Sequence, residues 1–336
     1  MLLDEEMYSP ADRQWLLCRG CLSEARLSNI IDLTSIYLTE PLSDLRARTL
    51  PQILLGDGSP RSLTAPPPSL SQIPAASRAQ ERFRVTGNAI VTGGAGDLGF
   101  AASRALLEHG VEGLMIFDMN PTEAQAKVDL LSSEFPGAKI QFLEVDVTDE
   151  DGVDAAVGET IKLFGSISTL VSFAGMVACG HALDWSAKDW NRVINVNTIG
   201  GFLVARAVAR TMIEHEIGGS MTFIASMSAH RVNFPQPQVS YNVSKAGVVA
   251  MVKSLAAEWA RYGIRVNSIS PGYMDTILNE GDGLDEARKM WLSRNPLGRM
   301  GQPDELTGAV VMLASRAGSY FNGSDLLMDG GQTLFM

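Results

Sequence analysis

Short apolar runs alternate with amphipathic, helix-like stretches along the chain after residue 85. The apolar runs are residues 88–92, 113–118, 139–147, 169–173, 221–225 and 265–270. Continuous apolar runs of this length are typical of strands covered on both faces, and helices between them give parallel pairing. The pattern therefore predicts an α/β fold in which helices cover both faces of a doubly wound parallel sheet.

A stretch rich in Pro, Ser and Gly, residues 56–76, precedes this pattern. Such a composition is typical of an extended, weakly ordered linker. We therefore predict one Rossmann-like domain over residues 81–336, preceded by an N-terminal extension and linker over residues 1–80. The extension shows no succession of strands and helices, and its sequence indicates no function.

Composition limits the partners and the compartment. The 336 residues include 27 Lys and Arg against 38 Asp and Glu, a net charge of −11, and such a field repels nucleic acid and anionic membranes. No apolar run reaches the ~20 residues that span a bilayer, and acidic residues stand where a targeting peptide has Lys or Arg. We therefore expect a cytoplasmic protein that binds neither nucleic acid nor membranes.

Cysteine and histidine are sparse. Cys18, Cys21 and Cys179 are too few for a disulfide framework, which suits a reducing compartment. The four histidines show no metal-binding spacing, so we expect no metal.

The turn after the first predicted strand, TGGAGDLG at residues 92–99, is rich in glycine. Glycine between a strand and a helix lets the backbone approach a pyrophosphate at the helix N-terminus. Asp118 ends the next strand nineteen residues after Gly99, near the offset expected for an acid that binds the ribose 2′-hydroxyl. The simpler interpretation is an ordinary tight turn with Asp118 as a strand-end cap.

The turn predicts a dinucleotide cofactor. The residues expected to contact it here are Gly93, Gly96, Leu98, Gly99 and Asp118. The 2′-phosphate of NADP would be repelled by Asp118, because residues 119–121 offer no arginine. We therefore expect NAD, with NADP the less favoured cofactor.

A tyrosine and a lysine, Tyr241 and Lys245, stand four residues apart at the start of an apolar helical stretch, residues 240–260. Residues at this spacing share a helix face, and an ammonium group near a phenol favours the phenolate. We therefore expect Lys245 to lower the pKa of Tyr241 from its usual ~10 and make it an acid/base for an alcohol or carbonyl oxygen. The simpler interpretation is a helix that merely carries both residues.

Several separate motifs from about residue 85 to residue 336 resemble the short-chain dehydrogenase/reductase family. They are TGGAGDLG (92–99), DVTD (146–149), FAG (173–175), NVN (195–197), IASMS (224–228), YNVSK (241–245) and SPGYMDT (270–276). Within that family, the stretch after residue 241 and the closing GSDLLMDGGQT resemble the fungal mannitol, arabinitol, xylulose and sorbose enzymes.

The resemblance implies roles for individual residues and a homotetramer or homodimer. The implied catalytic residues are Asn197, Ser226, Tyr241 and Lys245, and Asn197, Tyr241 and Lys245 are also implied to contact the cofactor. Asn197 would relay protons through water, and Lys245 would also bind the nicotinamide ribose. Ser228 remains an alternative to Ser226, because the length of the following loop is a weak constraint. Further implied cofactor contacts are Asp146 and Val147 at the adenine, Ala174 and Gly175 at the ribose, and Pro271, Gly272 and Thr276 at the carboxamide.

Two residues depart from the family pattern. Asp97 replaces a glycine, and it could either cap the following helix or repel a pyrophosphate. Phe173 replaces an amide that braces the sheet.

The segment expected to close over the substrate, residues 277–298, carries more acid than base. An anionic substrate would require arginine, so we expect a small neutral one, with polyol and ketose favoured. Trp185, Phe234, Met274 and Trp291 could instead shape a pocket for an apolar, polyketide-type ketone, or belong to the core. A noncatalytic NAD-binding protein is the third hypothesis.

Overall fold

The computed structural model describes residues 51–334, except for the side chain of Asp282. The compact unit that contains the predicted domain begins at Ile53. The extension up to residue 50, with Cys18 and Cys21, lies outside the described residues.

The predicted linker contains short 3-10 turns at Leu70–Gln72 and Ala75–Ser77. Arg316 donates a hydrogen bond to the carbonyl oxygen of Pro68, so this stretch contacts the body of the domain. The domain boundary near residue 80 stays a prediction.

Seven strands form one sheet in which every neighbouring pair is parallel. The strands are β1 (Asn88–Thr92), β2 (Gly113–Asp118), β3 (Lys139–Glu144), β4 (Thr169–Ser172), β5 (Gly219–Ile224), β6 (Ile264–Pro271) and β7 (Asp325–Met328). Their order in space is β3-β2-β1-β4-β5-β6-β7. The chain winds outward from β1 in one direction to β3, then from β4 in the other to β7. This confirms the predicted doubly wound α/β fold.

One helix precedes β1, and the others connect successive strands. They are α1 (Arg78–Phe83), α2 (Asp97–Glu108), α3 (Pro121–Glu134), α4 (Glu150–Phe164), α5 (Ala187–Ile194), α6 (Gly201–Glu214), α7 (Val239–Trp259), α8 (Asp285–Ser293) and α9 (Pro303–Ala314). A π-helical turn, Asn195–Gly200, joins α5 to α6. The start of α3 shows why such boundaries form: the Asn120 side chain accepts a hydrogen bond from the Glu123 N–H, and Pro121 fits the first helical position.

Two apolar clusters cover the two faces of the sheet. Along β1, Ile90 belongs to one cluster while Ala89 and Val91 belong to the other, because successive strand side chains point to opposite faces. All three side chains are fully buried. Burial on both faces explains why the strands are continuous apolar runs in the sequence.

The sequence pattern did not predict strand β7. It has four residues, pairs only with β6 at the sheet edge, and is only partly buried. An edge strand of this kind lacks the long apolar run that marks the central strands. The third strand also ends at Glu144 and not at residue 147 as predicted.

Parallel pairing places the carboxyl ends of all seven strands at one edge of the sheet, where open α/β sheets bind ligands. Within residues 51–334, no helix is long and apolar enough to cross a bilayer. The same residues contain no group of three or more His, Cys, Asp or Glu side chains arranged to hold a metal ion.

Candidate active site

Glycines shape the turn between β1 and α2. Gly93 has a φ of 65°, and a Cβ added to it would lie 2.8 Å from the backbone nitrogen of Ala174. A Cβ on Gly99 would lie 2.2 Å from the carbonyl oxygen of Gly93. A Cβ on Gly96 would make only an ordinary contact, 3.5 Å from that same oxygen. Gly93 and Gly99 are therefore required for packing, whereas Gly96 borders open space.

Helix α2 presents its N-terminus to this space. Gly96 is the N-cap residue and offers no side chain to the N–H groups of the first turn, which lack helical partners. Free N–H groups and the positive end of the helix dipole suit a pyrophosphate. The backbone thus fits the phosphate part of a dinucleotide.

Asp97 does not occupy the N-cap position but is the first helical residue. Its Oδ2 accepts a hydrogen bond from the backbone N–H of Ile277 at 2.9 Å. Asp97 therefore connects the glycine-rich turn to the segment after β6. Its side chain does not cap α2, which was one of its two predicted roles.

Asp118 lies at the end of β2, beside the same turn. Its Oδ2 accepts from the Ala95 N–H at 3.0 Å and its Oδ1 from the Asn120 N–H at 3.1 Å. These two hydrogen bonds hold the turn at the end of β2, which is the role of a strand-end cap in the simpler interpretation of Asp118. Each carboxylate oxygen has a further lone pair, so the group could still accept from a ribose hydroxyl.

The end of β4 is braced by a hydroxyl group. Thr92 Oγ1 donates to Ser172 Oγ at 3.4 Å and accepts from the Ala174 N–H at 3.1 Å. Phe173 packs against the apolar cluster that includes α2. Threonine and packing thus join β1 to β4 where the family pattern has an amide.

Asn197 lies in the π-helical turn and is buried, whereas Asn195 is exposed. The Asn197 Oδ1 accepts from the Met176 N–H at 2.8 Å, and its Nδ2 donates to the Met176 carbonyl oxygen and to Ser244 Oγ. The amide therefore holds the loop after β4 against α7. Its role as a proton relay stays a prediction.

Ser226 and Ser228 share one turn after β5. Ser226 Oγ accepts from the Ser228 N–H at 3.1 Å and donates to Ser228 Oγ at 3.0 Å. Ser226 also lies beside the Tyr241 phenol and lowers its pKa. Ser228 instead accepts from the Gln238 amide at 3.3 Å. The arrangement favours Ser226 as the serine beside Tyr241.

Tyr241 and Lys245 lie on one face of α7, with the Lys245 Nζ 5.7 Å from the Tyr241 ring centre. Burial raises the pKa of Tyr241, and Ser226 only partly opposes this rise. Burial also lowers the pKa of Lys245 to about 8. Lys245 Nζ donates to the Ile224 carbonyl oxygen at 2.7 Å. The pKa of Tyr241 thus lies above its usual value, contrary to the prediction, because desolvation of the phenolate is the largest cause and Lys245 is not among the groups that lower this pKa.

A cavity of about 300 Å³ brings most of the predicted residues together. Those that line it are Gly93, Gly96, Leu98, Gly99, Gly175, Ser226, Tyr241, Lys245, Pro271, Gly272 and Thr276. The apolar part of its wall consists chiefly of Phe173, Met176, Val177, Ile224, Met274, Ile277 and Leu278. Lys245 and Asp97 are the charged side chains of this lining.

The other predicted residues lie behind or beside the cavity lining: Asp118, Asp146, Val147, Ala174 and Asn197. Asp146 is exposed, and its Oδ1 accepts from the N–H and hydroxyl of Thr148. Val147 is buried against the position of Gly200. The predicted adenine contacts thus lie at the sheet edge, outside the cavity around Tyr241.

The sequence did not single out Tyr273 and Gln236. Tyr273 stacks on Trp291 with ring centroids 4.1 Å apart and an angle of 11° between the planes. Gln236 bonds to both aromatic side chains. The aromatic residue directly after Pro271 and Gly272 is the sequence feature that could have indicated this pair.

The match to known proteins covers nearly the whole described domain. A family model described as enoyl-(acyl carrier protein) reductase matches residues 93–333. Among solved structures, a short-chain type dehydrogenase/reductase from Mycobacterium marinum has a TM-score of 0.72 at 36% identity, covering 75% of this chain and 98% of that one.

Two similar curated proteins differ in cofactor. The NADP-dependent mannitol dehydrogenase of Hypocrea jecorina is 38% identical over 265 residues, which are 78% of this chain and 98% of that protein. The NADH-dependent L-xylulose reductase of Ambrosiozyma monospora is 39% identical over 265 residues, which are 75% of this chain and 97% of that protein.

Proposed function

Because the chain belongs to the short-chain dehydrogenase/reductase family of oxidoreductases, we propose that it interconverts a polyol and a ketose with NAD, using Tyr241 as the acid/base. The observation that carries this proposal is that Ser226, Tyr241 and Lys245 line one cavity, which also reaches the glycine-rich turn.

The three side chains divide the proton chemistry. In alcohol oxidation Tyr241 takes the hydroxyl proton, and in ketone reduction it returns that proton to the oxygen. Ser226 holds the same oxygen in place. Bound NAD supplies the hydride acceptor, or NADH the donor. The raised pKa of Tyr241 keeps the phenol protonated at neutral pH, which suits proton donation.

Asp118 supports NAD as the preferred cofactor. A second negative charge, on a 2′-phosphate, would lie near its carboxylate at the end of β2. The following residue, Met119, is 64% exposed and carries no charge that would compensate. The relatives include both NADP-dependent and NADH-dependent enzymes. The proposal that this chain prefers NAD is therefore based on the Asp118 carboxylate and not on the relatives.

The charges of the cavity support a neutral substrate. Among the described residues, its lining holds one ammonium group, on Lys245, and one carboxylate, on Asp97, and no guanidinium that could bind a carboxylate or phosphate in bidentate fashion. The mannitol and L-xylulose relatives support a polyol and a ketose. A second candidate, reduction of an apolar ketone, is favoured by the apolar side chains of the wall, such as Met176, Val177 and Met274.

Absorbance at 340 nm tests the proposal. Mannitol, arabinitol, xylitol, sorbitol, 2-butanol and cyclohexanol are each assayed with NAD⁺ and with NADP⁺, and turnover of at least one polyol with NAD⁺ is expected. Activity with NADP⁺ alone would contradict the role given to Asp118. Turnover of the apolar alcohols alone would favour the second candidate. Cofactor binding with no turnover of any substrate would favour the noncatalytic hypothesis.

We also propose that the chain forms a dimer or tetramer. Val239 and Val243 on α7 are 37% and 46% exposed, and Ile199 in the π-helical turn is 44% exposed. Pairing of such surfaces would bury these apolar side chains. A monomer at micromolar concentration in sedimentation velocity would contradict this.

A further inference from the structure

A cluster of polar side chains lies outside the cavity lining, at the edge of the sheet formed by β6 and β7. Its centre is the Asp325 carboxylate on β7, and only 10% of this side chain is exposed. Asp325 accepts hydrogen bonds from Ser268 Oγ, at 2.5 Å from Oδ1, and from Ser270 Oγ, at 2.9 Å from Oδ2. Both serines lie on β6 and are fully buried. The carboxylate is therefore fixed between the two strands.

His230 connects this cluster to the turn that begins with Ser226. The His230 Nε2 lies 2.7 Å from Asp325 Oδ2. Because a carboxylate can only accept, Nε2 carries the proton and donates it to Asp325. A proton is present on Nε2 in the cationic ring and in one tautomer of the neutral ring. The link between His230 and β7 therefore does not require a charged imidazole.

Residues 226–230 form a single 3-10 turn, with Ser226 as its N-cap and His230 as its C-cap. The Ala229 N–H donates to the Ser226 carbonyl oxygen at 2.9 Å. The His230 N–H donates to the Met227 carbonyl oxygen, also at 2.9 Å. These two bonds couple the backbone of Ser226 to that of His230 within one turn. A displacement of His230 would therefore also displace Ser226.

The turn is attached to neighbouring strands at both of its ends. Just before it, the Ala225 N–H donates to the Ile269 carbonyl oxygen of β6 at 2.8 Å. At its other end, the His230 side chain is bound to β7. The chain then enters an exposed loop, in which Val232 is 77% exposed. His230 is therefore the attachment that separates the buried turn from this loop.

We propose that His230 is a positioning residue, whose hydrogen bond to Asp325 fixes the turn and thereby the Ser226 hydroxyl in the cavity. His230 is not part of the cavity lining, so its effect on the reaction passes through Ser226. The inference rests on the part of the proposed function in which Ser226 holds the reacting oxygen. It applies to a polyol and to an apolar alcohol alike.

The first test is His230→Leu, which removes the donor and keeps a side chain of similar size. A displacement of about 1 Å can cost about 10²-fold in rate, so we expect kcat to fall by about 5- to 50-fold with NAD⁺ and the best alcohol substrate. The dissociation constant of NAD⁺ should not change, because the glycine-rich turn keeps all its contacts. Steady-state kinetics and calorimetric titration measure the two quantities.

Two amide variants test whether the hydrogen bond is the cause. In His230→Gln the amide nitrogen can take the place of Nε2 and donate to Asp325, so most of the lost kcat should be recovered. His230→Asn has the same amide on a side chain that is one methylene shorter and does not reach Asp325, so its kcat should resemble that of His230→Leu. His215→Leu, at an exposed histidine after α6, is the matched control and should change neither kcat nor the dissociation constant.

The outcomes separate this inference from the proposed function. A kcat that falls in His230→Leu and His230→Asn and recovers in His230→Gln, with unchanged NAD⁺ binding, supports the role of His230. Wild-type kcat in all three variants, an equal loss in all three, or a loss accompanied by weaker NAD⁺ binding overturns this role while the proposed function stands. A wild type that oxidises no alcohol overturns the proposed function and this inference together.

Discussion

The glycine-rich turn and the Tyr241 centre lie at the same edge of one sheet but are built by different forces. The turn is shaped by backbone sterics, since Gly93 and Gly99 approach other backbone atoms too closely for any side chain. The Tyr241 centre is assembled from side chains of β5, α7 and the segment after β6, and its properties depend on burial.

This difference shows which properties the local sequence can specify. A steric requirement is local, so spacing and residue type reveal it. The pKa of a side chain is the sum of desolvation, charges and hydrogen bonds from distant segments. The closeness of Tyr241 and Lys245 could therefore be predicted from their spacing, while the direction in which the Tyr241 pKa is shifted could not.

We predict the strongest loss of activity for a change at the Tyr241 centre. Tyr241→Phe should lower kcat by about 10²- to 10⁴-fold, because the proton donor and acceptor is lost, and should leave the dissociation constant of NAD⁺ nearly unchanged. Steady-state kinetics and calorimetric titration measure the two quantities. Tyr262→Phe, outside the cavity lining, is the control. Retained turnover in Tyr241→Phe would contradict the proposed mechanism.

The next effect belongs to the turn. Gly99→Ala places a methyl group against the Gly93 carbonyl oxygen and should lower the free energy of unfolding by about 2–3 kcal/mol. Urea denaturation measures this change. Gly158→Ala is the matched control, because a Cβ there meets nothing within 4 Å and alanine favours the helix, so a small gain is expected. Equal stability of Gly99→Ala and the wild type would refute the steric account.

Lys245→Met should stabilise the fold at neutral pH. Burial lowers the Lys245 pKa from 10.5 to about 8, a cost of about 3 kcal/mol, and the lost bond to Ile224 offsets about 1, so a gain of about 2 kcal/mol is expected at pH 7.

The pH dependence of this gain checks its cause. Below pH 8 both the folded and the unfolded wild type carry the proton, so the full cost is present. Between about pH 8 and 10.5 the unfolded state binds more protons, so the wild type gains stability and its difference from Lys245→Met shrinks. Urea denaturation at pH 7 and pH 9.5 measures the difference. A difference independent of pH would show that desolvation of the ammonium group is not its source.

The smallest expected effect concerns Asp97. Asp97→Asn keeps an acceptor for the Ile277 N–H but removes a negative charge at the N-terminus of α2. The dissociation constant of NAD⁺ should fall by about 2- to 5-fold at low salt, and the gain should shrink in 0.5 M NaCl. Calorimetric titration at two salt concentrations tests this. Weaker binding in the variant would show that Asp97 supports the cofactor.

Much of the fold could be predicted from the sequence, since strands such as β1 and β2 are buried on both faces and therefore continuously apolar. The short edge strand β7 could not, because partial exposure leaves it no distinctive pattern. In the site, the motifs located Ser226, Tyr241 and Lys245. They gave no sign of the Asp97 bond to Ile277 or of the Tyr273 cluster, since these contacts join segments far apart in sequence.

The π-helical turn at Asn195–Gly200 sets the rotational phase between two helical segments. A turn with i→i+5 hydrogen bonds holds about one residue more than an α-helical turn, so it absorbs an extra residue while the helices on either side keep their faces. Deletion of one residue here would make the helix regular and leave the buried stripe of α6 in the core, but the residues of the turn itself would change places. The Asn197 amide would then lose Met176, so the length of this turn serves the candidate site and not the packing of α5 and α6.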